Sequence, residues 1–175
     1  MRTVDFYPFS DTIYEDSDDT RRVSRLKKQY IETLRDYDTL VSLGRKDYIE
    51  HPLSDDELWN YWRTLPEDDE FFAVYDKDED DYVGTCRFMR PVDKSIELGY
   101  MVFVNKRRTG YGKAIIKEAV WYISHVINDG IDESYDEIRA TTLEDNIASC
   151  KSFESNGFIK THSENGLATY VRKLV

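Results

Sequence analysis

Residues 96–113, IELGYMVFVNKRRTGYGK, run from an apolar strand through a basic turn into the start of a helix, and the rest of the fold is predicted around them. The first N–H groups of a helix lack partners within the helix, and the helix dipole favours negative charge there. Gly110 and Gly112 leave the backbone accessible because they carry no side chain. Four basic residues accompany them: Lys106, Arg107, Arg108 and Lys113. This pattern predicts a diphosphate site, and the alternative is a helix start beside a basic surface turn.

Two common phosphate motifs do not fit this stretch. A Walker A loop requires GxxxxGK[ST], and the dinucleotide-binding fingerprint requires GxGxxG. The residues around Gly110 match neither pattern. The sequence therefore does not indicate an enzyme that hydrolyses nucleotides or one that transfers a hydride.

The hydrophobic pattern on the N-terminal side predicts a strand followed by helices. Residues 4–9 read as a short strand, and an acidic turn covers Tyr14 to Asp19. Apolar residues at three- and four-residue steps predict one helix from Thr20 to about Gly44. Ser54 and Glu57 form a capping-box pattern at the start of a shorter helix. This half of the chain is expected to carry a strand and two helices.

The remainder of the chain alternates strands and helices. Strands are predicted at 71–75, 82–89, 96–104 and 136–143, helices at 110–130 and 146–156, and a closing strand pair at 158–162 and 168–174. Asn165-Gly166 is a strong turn signal for that pair. Such an order predicts an α+β fold in which helices flank a mixed, twisted sheet.

Composition sets limits on function. The 175 residues suit one domain, and 24 basic against 35 acidic residues give a net charge of −11, which disfavours binding to a phosphate backbone of nucleic acid. No apolar run reaches the ~18 residues of a membrane span. Cys86 and Cys150 lie far apart and lack metal-ligand spacing, so a reduced, cytoplasmic protein without a metal is expected.

Two motifs in register resemble a known family. Residues 107–112, RRTGYG, resemble the [RQ]-x-x-G-x-[GA] signature of the GNAT N-acetyltransferase superfamily, and residues 146–158, NIASCKSFESNGF, resemble its N-x-x-[AS]-x-x-x-[YF]-x-x-x-G-[FY] segment. The strand IELGY is similar to that of the ribosomal-protein and polyamine N-acetyltransferase branches, and the second motif also resembles bacterial GNAT proteins of unassigned substrate. The resemblance implies a GNAT-like, mostly antiparallel sheet. Residues 1–175 would form one domain, with 70–175 as the acetyl-CoA-binding core and 1–69 on the acceptor side.

The resemblance also implies where acetyl-CoA binds as cosubstrate. Strand 96–104 would diverge from the next strand and offer its backbone to the pantetheine arm at Val102, Phe103 and Val104. The pyrophosphate would lie on the backbone N–H groups of the signature, which comprises Arg107, Arg108, Thr109, Gly110, Tyr111, Gly112 and Lys113. Asn146 would lie near the cofactor, and the alternative is that it only caps its helix.

For such an enzyme the catalytic candidates are Glu97 and Ser149. Glu97 lies between apolar neighbours and is the candidate general base, or alternatively an ordinary exposed strand residue. Many family members have Tyr at the position of Phe153, where its hydroxyl is thought to protonate the leaving thiolate. Ser149, one helical turn earlier, is the candidate replacement. The alternatives are that the thiolate leaves without an acid, or that catalysis has been lost.

The expected activity is acetyl transfer from acetyl-CoA directly to a primary amine of a small molecule, peptide or protein. Tyr30, Trp59 and Trp62 are candidates for the walls of the acceptor pocket, and the acidic surface suits a cationic amine. Core packing explains the same aromatic residues. The competing functions are a noncatalytic acyl-CoA-binding or regulatory module and an interaction protein that binds no CoA. A homodimer is compatible with the prevalence of dimers among soluble enzymes.

Overall fold

The structure, a computed structural model, describes residues 2–15, 20–90, 93–130 and 134–174. Within these ranges the strands are β1 (Asp5–Pro8), β2 (Glu70–Asp76), β3 (Asp81–Met89), β4 (Ser95–Val102), β5 (Glu137–Leu143), β6 (Ile159–Glu164) and β7 (Leu167–Lys173). The α-helices are α1 (Phe9–Glu15), α2 (Thr20–Leu34), α3 (Tyr37–Ser42), α4 (Asp47–Glu50), α5 (Asp55–Trp59), α6 (Tyr111–Tyr122) and α7 (Ile147–Glu154). A π turn, Ile123–Ile127, continues α6.

The strands form one sheet in the order β1-β2-β3-β4-β5-β7-β6. Every neighbouring pair is antiparallel except β4 and β5, which are parallel. The parallel pair needs a crossover, and α6 supplies it. The predicted α+β fold with a mixed, mostly antiparallel sheet is confirmed.

Each face of the sheet has its own hydrophobic cluster. On one face, Ile115 and Ile116 of α6 and Phe153 of α7 pack with strand residues such as Phe88 and Ile96. A second cluster, under α2 and α5, joins Leu26, Tyr30 and Leu58 to Ala73 of β2 and to Phe103 at the end of β4. Adjacent strand residues point to opposite faces, so β4 contributes side chains to both clusters.

The long helix predicted from Thr20 to Gly44 is two helices, and this prediction was wrong. The carboxylate of Asp36 accepts hydrogen bonds from the backbone N–H of Thr39 at 3.0 Å and from its hydroxyl at 2.9 Å, so α3 begins anew with Asp36 as its N-cap. Asp competes with helical hydrogen bonding in this way. The chain turns there, and Tyr37, one of the apolar residues whose three- and four-residue spacing predicted a single helix, is 63% exposed.

The start of the chain also differs from its prediction. The structure ends β1 at Pro8 and begins α1 at Phe9, a helix that the sequence pattern did not indicate. Most of the predicted acidic turn, residues 16–19, lies outside the described residues. Two local signals are confirmed: Ser54 and Glu57 form the capping box of α5, and Asn165 and Gly166, both at positive φ, turn between β6 and β7.

Candidate functional site

A gap opens between β4 and β5. Their parallel pairing covers Ser95 to Glu97 on β4 and Glu137 to Arg139 on β5. Beyond that point β4 continues to Val102 and β5 to Leu143 without pairing to each other. The two strands therefore diverge toward the start of α6.

Backbone groups of β4 face this gap. The N–H of Phe103 donates to the carbonyl of Val83 on β3 at 2.9 Å. Groups on successive residues of a strand point to opposite sides, so Met101 also faces β3, whereas Tyr100 and Val102 face the gap. The N–H of Val104 is already donated to the hydroxyl of Thr33 at 3.1 Å. Of the three predicted pantetheine contacts, only Val102 directs both its N–H and its carbonyl into the gap.

The first turn of α6 lies at the open end of the gap. Gly110 precedes it at φ +89°, no side chain caps the helix, and a Cβ built on Gly110 would meet no atom within 4 Å. The N–H groups at this helix start consequently face accessible space. A groove of about 530 Å³ adjoins them, lined by Arg2, Asp78, Thr109, Gly110, Lys113, Ala114 and Lys117.

Two of the four basic side chains are bound within the protein. The guanidinium of Arg107 donates to Asp36 at 2.8 Å and to the hydroxyl of Thr39. Lys106 forms an ion pair with Asp81 at 2.9 Å. Burial disfavours the charged form of Asp36, but the hydrogen bonds from Arg107 and Thr39 outweigh it and hold the pKa of this carboxyl below its ordinary value. Arg108 and Lys113 are left as the exposed cations of the motif.

The side of the gap opposite β4 includes the start of α7. The side-chain oxygen of Asn146 accepts a hydrogen bond from the N–H of Ser149 at 3.2 Å and so caps α7. The alternative role considered for Asn146, that of a helix cap, is therefore observed. The hydroxyl of Tyr100 lies 3.1 Å from Oγ of Ser149. A Cβ on Gly112 would approach the Tyr100 ring and Oγ of Ser152 to 3.3 Å. Gly112 thus permits close packing of α6 against Tyr100 and α7.

A sequence model described as the acetyltransferase (GNAT) domain matches residues 29–159, about three quarters of the chain. The chain belongs to the GNAT family. The curated protein sequences contain no match to it.

Solved structures of GNAT proteins share this fold. A GNAT-family acetyltransferase from Bacillus anthracis has a TM-score of 0.72 at 14% identity, covering 99% of this chain and 95% of that one. Spermidine N-acetyltransferase from Vibrio cholerae, in complex with CoA and spermine, has a TM-score of 0.59 at 14% identity, with coverages of 98% and 94%. The ribosomal L7/L12 alpha-N-protein acetyltransferase RimL, in complex with coenzyme A, has a TM-score of 0.65 at 14% identity, also with coverages of 98% and 94%.

In this GNAT domain Glu97 lies at the point where β4 and β5 part. It shares the α2-side face of the sheet with Met101 and Phe103 because alternate residues of a strand face the same way. Its neighbour across the pair, Arg139, binds Asp93 and Glu137, each at 2.7 Å. The Glu97 carboxylate is half-buried and forms no hydrogen bond or ion pair with another described residue.

Phe153 and the two cysteines are core residues. Phe153 is 2% exposed, and its ring contacts Tyr100, Phe158 and Tyr170 at centroid distances of 5.6, 5.2 and 5.7 Å. Burial raises the pKa of the Cys86 thiol. Cys150 is buried beside the carbonyls of Leu143 and Glu144. Packing accounts for all three side chains.

The aromatic residues predicted to line the acceptor pocket form a cluster around Phe9. Tyr30 is 1% exposed between Phe9 and Trp59, so it is a core residue and not a pocket wall, and burial raises its pKa. Trp59 and Trp62 are half-buried, and Lys27 and Arg63 lie over their respective rings. The indole N–H of Trp62 is buried without a hydrogen-bond partner in the described chain.

The part of the chain that the structure describes has neither a metal-binding cluster nor a membrane-spanning helix. No three His, Cys, Asp or Glu side chains converge there into a potential metal site. None of its helices combines the length and apolar character needed to cross a bilayer.

Tyr100 is the residue of this site that the sequence did not single out. Its place in an apolar strand predicts a core position, and the ring does pack on Phe153. The only signal was a hydroxyl-bearing side chain in the half of β4 expected to diverge from its neighbour.

Proposed function

We propose that this GNAT domain transfers an acetyl group from acetyl-CoA directly to a primary amine of a small molecule, peptide or protein. The observation that carries the proposal is the gap between β4 and β5, which opens onto the uncapped first turn of α6. An extended ligand with an anionic end would fit this arrangement, with its arm in the gap and its charged end at the first turn of α6. Residues 70–175 would bind the cofactor, and residues 1–69 would border the acceptor amine.

The cofactor would be held mainly by backbone groups. The N–H groups from Arg108 to Lys113 would bind the diphosphate, with the exposed cations Arg108 and Lys113 nearby. Val102 would pair with the pantetheine arm as a neighbouring strand would. Phe103, Val104 and Arg107 would support this site indirectly, because their polar groups are bound to Val83, Thr33 and Asp36. Asn146 would order the start of α7 by its cap.

Glu97 would remove the proton from the attacking amine, directly or through a water molecule. The Glu97 carboxylate has no partner among the described residues, so it is available to accept a proton. It lies beside the gap, and the acetyl end of an arm that starts at α6 would come near it. The bound cosubstrate supplies the activated acetyl group. The main work of the protein is to align the two reactants.

The acceptor would be an amine, and a cationic one suits the acidic chain. Spermine and a protein N-terminus, named with the similar spermidine N-acetyltransferase and RimL, are reasonable probes. The half-buried Trp59 and Trp62 are the remaining aromatic candidates for contact with the acceptor.

The buried Phe153 favours one alternative, a CoA-binding module without catalysis, since it carries no hydroxyl at the position where many family members have one. A panel containing spermine and a peptide with a free N-terminus separates the two functions. Release of CoA above the rate without amine supports transfer. Binding of acetyl-CoA with no release for any amine would favour the module.

The first prediction tests the cofactor site with two matched glycines. Gly110 and Gly166 both have positive φ, +89° and +78°, and a Cβ on either would meet nothing within 4 Å. Substitution by Val therefore strains both backbones similarly, but only Gly110→Val fills the space in front of α6. We expect acetyl-CoA to raise the melting temperature of the wild type and of Gly166→Val, and to have little effect on Gly110→Val.

Isothermal calorimetry provides the direct measure of affinity. Wild-type affinity in Gly110→Val would refute the placement of the diphosphate. No acetyl-CoA binding by the wild type would refute the proposed function.

A further inference from the structure

The hydroxyl of Ser149 is hydrogen-bonded differently from those of Ser124, Ser152 and Ser155. Ser124, Ser152 and Ser155 each donate their hydroxyl to a carbonyl three or four residues earlier, at 2.8, 2.8 and 3.0 Å. This is the usual behaviour of serine in a helix. Ser149 makes no such bond to a described residue, and its Oγ lies 3.1 Å from the hydroxyl of Tyr100.

The direction of that hydrogen bond follows from acidity. A phenol is a stronger acid than an alcohol, so Tyr100 donates and Oγ of Ser149 accepts. The proton of Ser149 then has no acceptor among the described residues. The serine is buried at the start of α7, beside the gap that Tyr100 and Val102 face.

Burial keeps Tyr100 in its donor form. Loss of water around the phenol raises its pKa, and hydrogen bonds with Ser149 and Ser152 only partly oppose that effect. Cys150 is the nearby titratable group in α7, and the facing part of α6 is Gly112. Tyr100 is therefore protonated at neutral pH, and so is the neighbouring serine.

We propose that Tyr100 is a positioning residue which turns the hydroxyl of Ser149 toward the sulfur of CoA, so that Ser149 stabilises the departing thiolate. This inference rests on the proposed acetyl transfer and adds a residue to it. An arm that starts at α6 and follows β4 passes Val102 and then Tyr100. The sulfur end of that arm would thus come near Ser149.

The acetyl transfer does not require an acid that gives its proton to the departing sulfur. The amine nitrogen forms the new bond to the acetyl carbon, the carbon–sulfur bond breaks, and its electron pair stays on sulfur. The proton lost by the amine passes to Glu97 or water and then to solvent. Ser149 donates a hydrogen bond and keeps its proton, because a thiolate whose thiol pKa is about 8.5 is too weak a base to deprotonate an alcohol.

The chain of two hydroxyls strengthens this interaction. A hydroxyl that accepts a hydrogen bond becomes a better donor, and the effect is larger in a buried site. Without Tyr100 the Ser149 hydroxyl would have no hydrogen-bond partner among the described residues to fix its orientation. The phenol therefore acts through Ser149 and does not itself meet the sulfur.

The test measures the thiol pKa of CoA bound to the protein, which needs no knowledge of the amine. Thiolate absorbance is followed against pH, with the spectrum of the protein alone subtracted to remove Cys86 and Cys150. Ser149→Ala should raise the thiol pKa by about one pH unit, since hydrogen bonds to charged groups are strong. Tyr100→Phe should raise it by part of that amount. The double variant should equal Ser149→Ala, because Tyr100 acts through the serine.

Tyr170→Phe is the matched control. Tyr170 stacks on Phe153 as Tyr100 contacts it, but its hydroxyl lies 3.2 Å from Glu154 instead of Ser149. Loss of ring packing or general loosening would affect both tyrosine variants. We expect Tyr170→Phe to leave the thiol pKa of bound CoA unchanged.

Three results would overturn the proposal. The first is an unchanged thiol pKa in Tyr100→Phe when Ser149→Ala shifts it, and the second is an unchanged value in every variant. In both cases CoA still binds, so the proposed function stands. The third is failure of wild-type protein to bind CoA, which would reject the proposed function and this inference together.

Discussion

Among single residues, the role of a charged side chain near the proposed cofactor site depends on whether another side chain already binds it. The sequence shows Arg107 in a basic run, but its guanidinium is bound to Asp36 and Thr39. Glu97 has the opposite surroundings, because its carboxylate has no such partner in the described chain. Arg107 and Asp36 are far apart in sequence, so no local pattern could predict their pairing.

The second prediction concerns Glu97. Glu97→Gln should lower the turnover of acetyl-CoA with the best amine of the panel by about 10²-fold, because the amide cannot accept the proton. The affinity for CoA should stay near that of the wild type. Steady-state rates and calorimetry measure the two quantities separately.

Glu164→Gln, on the exposed strand β6, is the control and should retain full activity. A Glu97→Gln enzyme as active as the wild type would exclude Glu97 as the base and leave water or another carboxylate in that role.

At the scale of the element, the start of α6 is held by a buried carboxylate at the end of β2. Asp76 accepts hydrogen bonds from the Tyr111 hydroxyl at 2.8 Å and from the N–H groups of Asp78 and Glu79 at 2.9 and 3.2 Å. Burial disfavours its charge, but these donors prevail and keep the pKa of Asp76 below the ordinary value. The β2–β3 turn and the motif around Gly110 are thereby coupled.

The third prediction follows from the sign of that shift. A carboxylate whose pKa is lowered on folding stabilises the protein above its unfolded pKa, about 4, and this contribution is lost as the pH falls through the folded value. Tyr111→Phe removes a donor to the buried charge. It should reduce the free energy of unfolding at pH 7 by about 1–3 kcal/mol. The deficit should shrink below about pH 4, where protonation of Asp76 removes the charge that has lost this donor.

Urea denaturation of both proteins across this pH range measures the deficit. Tyr37→Phe, which alters an exposed phenol, should match the wild type at every pH. A deficit that is independent of pH would mean that packing, and not the Asp76 hydrogen bond, explains the loss.

Elements were predictable to the extent that their signals are local. The capping box of α5 and the Asn165-Gly166 turn depend on neighbouring residues, and the structure has both. The break between α2 and α3 also has a local signal, Asp36 followed by Thr39. The apolar residues keep their helical spacing across the break, however, so the sequence predicted one continuous helix. Helix α1 lacked a clear signal, and packing of Phe9 against Tyr30 and Trp59 accounts for it.

At the scale of the whole molecule, two antiparallel sections of sheet meet along the short parallel contact of β4 with β5. The sections β1 to β4 and β5 to β7 are each paired along most of their length, whereas the contact between them covers three residue pairs. The sequence predicted the order of strands β1 to β7 and the positions of α6 and α7 between them. The divergence of β4 from β5 was predicted only from the family resemblance, because the sequences of two strands distant in the chain do not reveal how far the strands pair.

The fourth prediction is an alternating pattern of amide hydrogen exchange along β4. In the protein without ligand, the amides of Tyr100 and Val102 should exchange faster than that of Met101, which faces β3. Acetyl-CoA at 100 times its Kd should slow exchange at Tyr100 and Val102 by about 10²-fold. Residue-resolved NMR measures both states. Equal slowing of all three amides would indicate general stabilisation instead of an added partner along the strand.

The unpaired edge of β4 also bears on self-association. An open strand edge is a template for another polypeptide, and soluble proteins keep such edges short or covered. Here the open part runs from Leu98 to Val102, about 17 Å at the usual rise per residue. Tyr100 reaches across to Ser149 on α7, and after Val102 the chain leaves the strand for a 3-10 turn. A second protein strand carries side chains on both faces and would collide with the contact between Tyr100 and Ser149, whereas a thin, flexible ligand arm can enter. The edge of β4 can therefore stay open to a small molecule without pairing with a strand from another copy of the protein.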